Sequence, residues 1–217
     1  MSYGFQVLDT NGNTKLDNTF PLCVYYTEWN VAYPADTNLF KLESLAGFGM
    51  SRADNPIAWI SNITSPMSIQ IDDTYLNITS HYKASTHTAG WYGKIVLTTK
   101  RASATEGYGL ALYDAAGTLL YNTGNRIMVV RDLIPVTAGY DGNVNHAACG
   151  TTPYYATFAC TAYYSGTFLG YLNEAPAAVK VKSISNSSVY VNTAPTFLLL
   201  DNIQYSGVAY ILVGELL

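Results

Sequence analysis

The chain has 217 residues, 49% of them hydrophobic and 12% charged, with a formal net charge of −4. That much apolar material excludes a disordered chain, and 11 dispersed Lys and Arg residues give no footprint for a phosphate backbone, so nucleic acid is not an expected partner. The charged fraction is about half the ~25% typical of soluble domains. Tyr, Thr, Asn, Ser and Gly fill the deficit, which suits packing against neighbours or a sugar, because a buried charge costs more than a buried hydroxyl or amide that finds a partner.

Taken from the start, Met1-Ser2-Tyr3-Gly4-Phe5 carries no basic segment and no apolar run of signal-peptide length, so folding in a cytoplasm is expected. Tyr3-Gly4-Phe5-Gln6-Val7-Leu8-Asp9-Thr10-Asn11-Gly12 recurs 105 residues later as Tyr108-Gly109-Leu110-Ala111-Leu112-Tyr113-Asp114-Ala115-Ala116-Gly117. The register continues, with Leu16-Asp17 over Tyr121-Asn122 and Val24-Tyr25 over Val129-Val130. Each copy opens strand, turn, strand, loop, strand. Asp9 with Gly12 and Asp114 with Gly117 mark hairpin turns in which Gly supplies the positive φ.

The middles, residues 27–66 and 132–178, are dissimilar; only Thr37 to Leu45 suggests a short helical turn. The copies close alike, Tyr75-Leu76-Asn77-Ile78-Thr79 and 90–97 matching Val189-Tyr190-Val191-Asn192 and 207–213, as two strands around a loop. The join falls in 98–107, which holds Lys100 and Arg101. The expected fold is all-β: two tandem, duplicated, jelly-roll-like β-sandwiches, residues 1–102 and 107–217, each large enough to fold and packed together by a short linker. The apolar segment 207–214 is too short to span a bilayer and reads as a buried strand, the C-terminus completing its own sheet or a neighbour's.

Candidate chemistry is sparse. Asp9-Thr10-Asn11-Gly12-Asn13 imitates a calcium loop, but the second copy has Ala115 and Ala116 at the ligand positions and neither has Glu at the twelfth, so turn chemistry explains both. His81, His87 and His146 are dispersed, and His146-Ala147-Ala148-Cys149 supplies two ligands, too few for zinc. Cys23, Cys149 and Cys160 show no C-x-x-C spacing and read as free thiols, with Cys149 and Cys160 able to pair if oxidised. No Ser nucleophile elbow or triad setting occurs, and carboxylate pairs drawn from 15 acids carry no specificity. Neither an enzyme nor a cofactor is expected. The most unusual region is Leu133 to Ala178, which holds Tyr140, Tyr154, Tyr155, Tyr163, Tyr164 and Tyr171 among small polar residues. Tyr in such company builds recognition surfaces, since its ring gives area at the entropy of two torsions. A subunit interface ranks first, a ligand surface second and a core boundary third.

The opening Tyr3-Gly4-Phe5-Gln6-Val7, then Asp9, Gly12 and Lys15-Leu16-Asp17, resembles the start of small tail-associated structural proteins, of tail-fibre or tail-tip type, of tailed bacteriophages. Many of these begin with Gly-Leu-x-Val, an Asn/Asp-Gly turn and an apolar-Asp pair; the second copy departs with Tyr121-Asn122. The resemblance covers about 15 residues and implies a multi-copy, homo-oligomeric virion protein of the tail tip, baseplate or fibre, assembled in the host cytoplasm and bound to other virion proteins. It transfers no functional residue. The competing reading is a receptor- or carbohydrate-binding module that stacks host glycans on the Tyr-rich loops, and a head-decoration protein is a third.

Overall fold

The computed structural model describes residues 6–8, 14–17, 23–33, 40–80, 91–100, 111–113, 117, 119–122, 124–157, 163–168, 171–176, 179–193 and 201–217. The first half contributes β1 (Gln6–Leu8), β2 (Thr14–Asp17), β3 (Cys23–Tyr33), β4 (Phe40–Ser44), β5 (Ile57–Ser61), β6 (Met67–Ile71), β7 (Tyr75–Ser80) and β8 (Trp91–Thr99), with 3-10 turns at Leu45–Phe48 and Arg52–Asp54. The second contributes β9 (Ala111–Tyr113), β10 (Leu119–Asn122), β11 (Ile127–Thr137), β12 (Asp141–Asn145), β13 (Tyr154–Thr157), β14 (Tyr163–Phe168), β15 (Tyr171–Pro176), β16 (Lys180–Ser185), β17 (Ser188–Asn192), β18 (Asp201–Ser206) and β19 (Val208–Leu216).

Six strands close a barrel in the order β11-β19-β13-β5-β8-β3, and six more form a sheet in the order β12-β17-β16-β6-β7-β4. The fold is all-β and sandwich-like, with the sheet lying on the barrel wall. Hairpins β1-β2 and β9-β10 and a three-stranded sheet β15-β14-β18 complete the described elements. Both six-strand orders read the same from either end once each strand is exchanged for its counterpart, β3 for β11, β8 for β19, β5 for β13, β4 for β12, β7 for β17 and β6 for β16. The register agrees: β3 on β8 shifts between Tyr25 and Thr27, and β11 on β19 between Val130 and Asp132. The residues passed over, Tyr26 and Arg131, are 105 positions apart, the offset that relates Tyr3 to Tyr108. A bulge re-aims the strand that carries it, so both long strands bend at the same place.

The halves meet at short seams. Ile127 and Met128 pair with Val24 and Cys23, Tyr155 with Ile60, and Val181 with Met67; inside a half, β3-β8 and β11-β19 each pair over nine positions. The residue 98–107 join is therefore crossed by both the barrel and the sheet, and side chains hold the halves together. One core lies between barrel and sheet, combining Ile60, Ile95 and Leu97 with Ile211, Val213 and Val191; each such side chain contributes about 1.5–3 kcal/mol of apolar burial. A second core on the other face of the barrel strands holds Trp59, Val96, Met128, Tyr154, Ala156 and Leu216. β5 and β13 consequently bury both faces, Trp59 opposite Ala58 and Ile60, Tyr154 opposite Tyr155.

The strands follow from local pattern where one face is wet. In β11, Ile134 and Val136 point inward while Leu133 and Pro135 are exposed. Pro135 lacks an N–H, and it stands beyond the two residues that β3 pairs, where no described strand lies on the outer side of β11 and a missing donor is tolerated. Where a helical turn was expected over Thr37 to Leu45, Phe40–Ser44 is strand β4, paired with β7, and the 3-10 turn starts at Leu45, while 37–39 lie outside the described residues. The C-terminus completes the chain's own barrel, with Leu217 and Ile127 exchanging N–H to carbonyl bonds at 2.9 and 3.1 Å. Gly117 has φ 79°, as its turn role requires; Asp9, Gly12 and Asp114 lie outside the described residues.

Candidate functional site

The Tyr-rich segment does not gather into one surface. Tyr154 and Tyr155 are buried, 7% and 0% exposed, on opposite faces of β13. The expectation that both present rings to a partner is thus corrected: a strand covered on both faces sends each of two successive side chains into a core. Tyr140 is half-buried, its hydroxyl donating to the Asn143 carbonyl at 2.8 Å. Tyr163 and Tyr164 lie on β14 and Tyr171 on β15; their side chains, like Cys160, are outside the described residues.

The buried polar groups around β13 and β19 serve structure. His146 Nδ1 lies 2.8 Å from the Ala147 carbonyl, so this nitrogen donates; Nε2, 3.1 Å from Tyr155 Oη, accepts the phenol proton. Burial, and then the charge of a Cys149 thiolate, push the Tyr155 phenol well above its ordinary range. The Cys149 thiol is raised too, by burial first and Glu215 second, and it donates to the Ala147 carbonyl at 4.0 Å. The His/Cys proximity in sequence therefore gives no base aimed at a thiol, and low-pKa character, the mark of a reactive cysteine, is missing. Cys23 is also a free thiol.

Glu215, 2% exposed, accepts from Arg131 Nε at 2.7 Å and from the Thr151 N–H and hydroxyl at 2.8 and 3.1 Å. The Arg131 bond chiefly, with the two from Thr151, holds this carboxyl below its usual range against the opposing effect of burial. Among the described residues no group of three His, Cys, Asp or Glu is placed to hold a metal ion, and no helix is long and apolar enough to cross a membrane.

Comparison of the two halves locates what differs on a shared scaffold. On β3 and β8, Glu28 faces Val96 and Asn30 faces Lys94, and Lys94 Nζ reaches Glu28 Oε1 at 3.0 Å. At the corresponding lattice points of β11 and β19, Leu133 faces Leu212 and Pro135 faces Tyr210. Leu133 and Tyr210 are 51% and 44% exposed. An ion pair in one half is thus replaced by an exposed apolar patch in the other. Sequence reasoning missed this patch. The 105-residue offset contained its signal, since Leu133 and Pro135 stand over Glu28 and Asn30.

A cavity of about 500 Å³ opens between the barrel and the sheet, with Ile57, Ile69, Ile71 and Ala156 as apolar lining and Arg52, Asn55, Gln70, Asp72 and Asn77 as polar lining. Asp72 is committed to its own turn, accepting the Thr74 and Tyr75 N–H groups at 2.7 and 2.6 Å and the Asn77 amide at 2.9 Å. Those bonds, led by the one from Thr74, hold its carboxyl below the ordinary range.

Lys180, at the start of β16, is fully buried, and burial pushes its ammonium down to about 8. Between this value and the ordinary 10.5 the unfolded chain binds more protons than the folded one, so stability rises with pH above 8. The gain reaches roughly 3 kcal/mol at most. Above about pH 10 the raised Tyr155 phenol acts in the opposite sense, because the unfolded chain ionises first. Urea midpoints measured from pH 7 to 11 are expected to rise from pH 8 and then turn over, because the Cys23 and Cys149 thiols, also raised by burial, oppose the Lys180 gain together with Tyr155. Lys180→Met should abolish the rise, and a flat wild-type profile would contradict the assignment.

No family model, no curated protein and no solved structure matches the chain.

Proposed function

We propose that the chain is a non-enzymatic virion structural protein of a tailed bacteriophage, a multi-copy component of the tail tip, baseplate or fibre that acts through protein–protein interfaces. The observation that carries the interface reading is the exposed apolar patch of Leu133, Pro135 and Tyr210, which stands where the other half carries an ion pair. An apolar patch on a sheet face is stabilised when a neighbour covers it, and depletion of charge is the compositional mark of an interface centre. His146 is engaged with Tyr155 and the Ala147 carbonyl, and Glu215 with Arg131 and Thr151, which favours a scaffold over a catalyst. The repeated register and bulges support reading the halves as tandem copies. The opening motif's resemblance to tail-associated proteins supplies the virion setting. A carbohydrate site built on Tyr154 and Tyr155 is not favoured, since both rings are buried.

The experiment is incorporation into particles of the Leu133→Lys, Tyr210→Lys double variant against wild type. Both side chains are exposed, so the variant should fold with an unchanged melting temperature and fail to incorporate.

A further inference from the structure

We infer that the cavity between barrel and sheet is a docking groove for a short, uncharged, extended peptide segment of a neighbouring protein, which adds as a strand to the outer side of β6. The inference rests on the reading of the chain as an interface protein and names the chemistry of a second contact, distinct from the Leu133 patch.

The groove exists because the sheet parts at its seam. Among the described residues β16 meets β6 at Met67 alone, whereas β7 pairs with β6 from Met67 to Ile71. Beyond the seam the outer side of β6 faces the barrel strands. There the Thr157 hydroxyl takes the place of a strand partner for one residue, accepting the Ile69 N–H at 3.3 Å and donating to the Ile69 carbonyl at 3.0 Å. Backbone groups of a strand alternate sides with a period of two, so Ile71 turns its N–H and carbonyl to the same side as Ile69. The Asp72 N–H, which bonds the Tyr75 carbonyl at 3.0 Å, shows the opposite parity.

The walls select the occupant. An extended peptide would bond to the Ile71 backbone and lay alternate side chains on Ile57 and Ala156, the mode in which main-chain bonds give affinity and apolar pockets give specificity. The volume of about 500 Å³ falls in the range of ligand pockets. Among the described residues no aromatic ring lines it to give a sugar a stacking platform, and the single Arg, with Asp72 beside it, offers little for a phosphate. Asn55 and Gln70 bring amides to the walls, the groups that pair with peptide backbone.

The test uses the full chain, isotope-labelled, titrated with the acetylated, amidated hexapeptide Thr-Val-Thr-Val-Thr-Val while backbone amide signals are followed. Expected are saturable shifts at Ile69, Gln70 and Ile71 and at least about tenfold slower exchange of the Ile71 N–H, the effect of one added hydrogen-bonded strand. The peptide N-methylated at alternate residues should bind at least tenfold more weakly in one of its two registers. Ile71→Pro, which removes the donor, should lose binding by a similar factor; if that variant does not fold, the N-methylated peptides decide. Shifts confined to Leu133 and Tyr210, the same shifts produced by maltose with the peptide silent, or equal binding by both N-methylated forms would each overturn the proposal. The groove's failure would leave particle incorporation through the Leu133 patch untouched, and failure of incorporation would leave peptide binding intact.

Discussion

Gly214→Ala is expected to destabilise the protein by about 2 kcal/mol or more, the overpacking range for a core that cannot relax. A Cβ at this position would stand 2.7 Å from Met128 Sδ and 2.8 Å from Trp59 Cζ3. Met128 is flexible; Trp59 is not, being fully buried with its indole N–H donating to the Thr98 hydroxyl at 2.9 Å. The reason lies in the matching registers of the two halves. Gly214 and Thr98 occupy corresponding positions, opposite Val130 and Tyr25 in the two registers. Trp59 and Ala156 correspond likewise, opposite Val96 and Leu212. One large ring therefore serves both halves, and the strand it leans on must carry no side chain. At about 2–4 °C per kcal/mol for a chain of this size, thermal melting should fall by roughly 4–8 °C or more. Met128→Ala should cost less in the Gly214→Ala background than in wild type, a coupling visible in a double-mutant cycle. A Gly214→Ala protein with wild-type melting would show that Trp59 does not lie against β19.

Removing Glu215 to Leu217 is expected to cost more, roughly 4 kcal/mol or above, a large part of the total stability of an ordinary domain. Three losses combine. Leu216, 7% exposed, leaves the barrel core, worth about 1.5–3 kcal/mol. The two Leu217–Ile127 backbone bonds that continue the pairing of β19 with β11 disappear. The Glu215 carboxylate no longer ties Arg131 to Thr151. Because β11 meets β3 at Met128 and Ile127, the damage falls where the barrel closes between the halves. The truncated chain should collect in the insoluble fraction or lose near-ultraviolet circular dichroism at 25 °C while wild type keeps it. A soluble, cooperative truncated protein would show that the barrel closes without this segment.

The opening hairpins of the two halves were legible in the sequence. Val7 and Leu112 lie on strands that pair as expected in β1-β2 and β9-β10, and the offset found at Tyr3 and Tyr108 also relates the two bulges. What escaped was set by tertiary contact. Tyr154 and Tyr155 read as a surface because Tyr among small polar residues usually is one; a strand buried on both faces loses the alternation that would have shown otherwise. In Thr37 to Leu45, Leu39, Phe40, Leu42 and Leu45 mimic helical spacing, but β7 offered Phe40 to Ser44 a ladder of five pairs and local propensity yielded to it. The Leu133 patch was half legible, since Leu133 lies 105 residues from Glu28, whereas Tyr210 and Lys94 are related only through the strand registers. The groove depends on β16 and β6 pairing, among the described residues, at Val181 and Met67 alone, a long-range event with no local sign.

The central claim, that the chain is a multi-copy virion component held by its faces, is tested most directly by quantitative mass spectrometry and electron microscopy of purified tailed particles made with the wild-type chain and with the Leu133→Lys, Tyr210→Lys variant. The account predicts the wild-type chain at a fixed copy number above one per particle, located at the tail, and the stable variant absent. Absence of the wild-type chain from every particle, or undiminished incorporation of the variant, would contradict it.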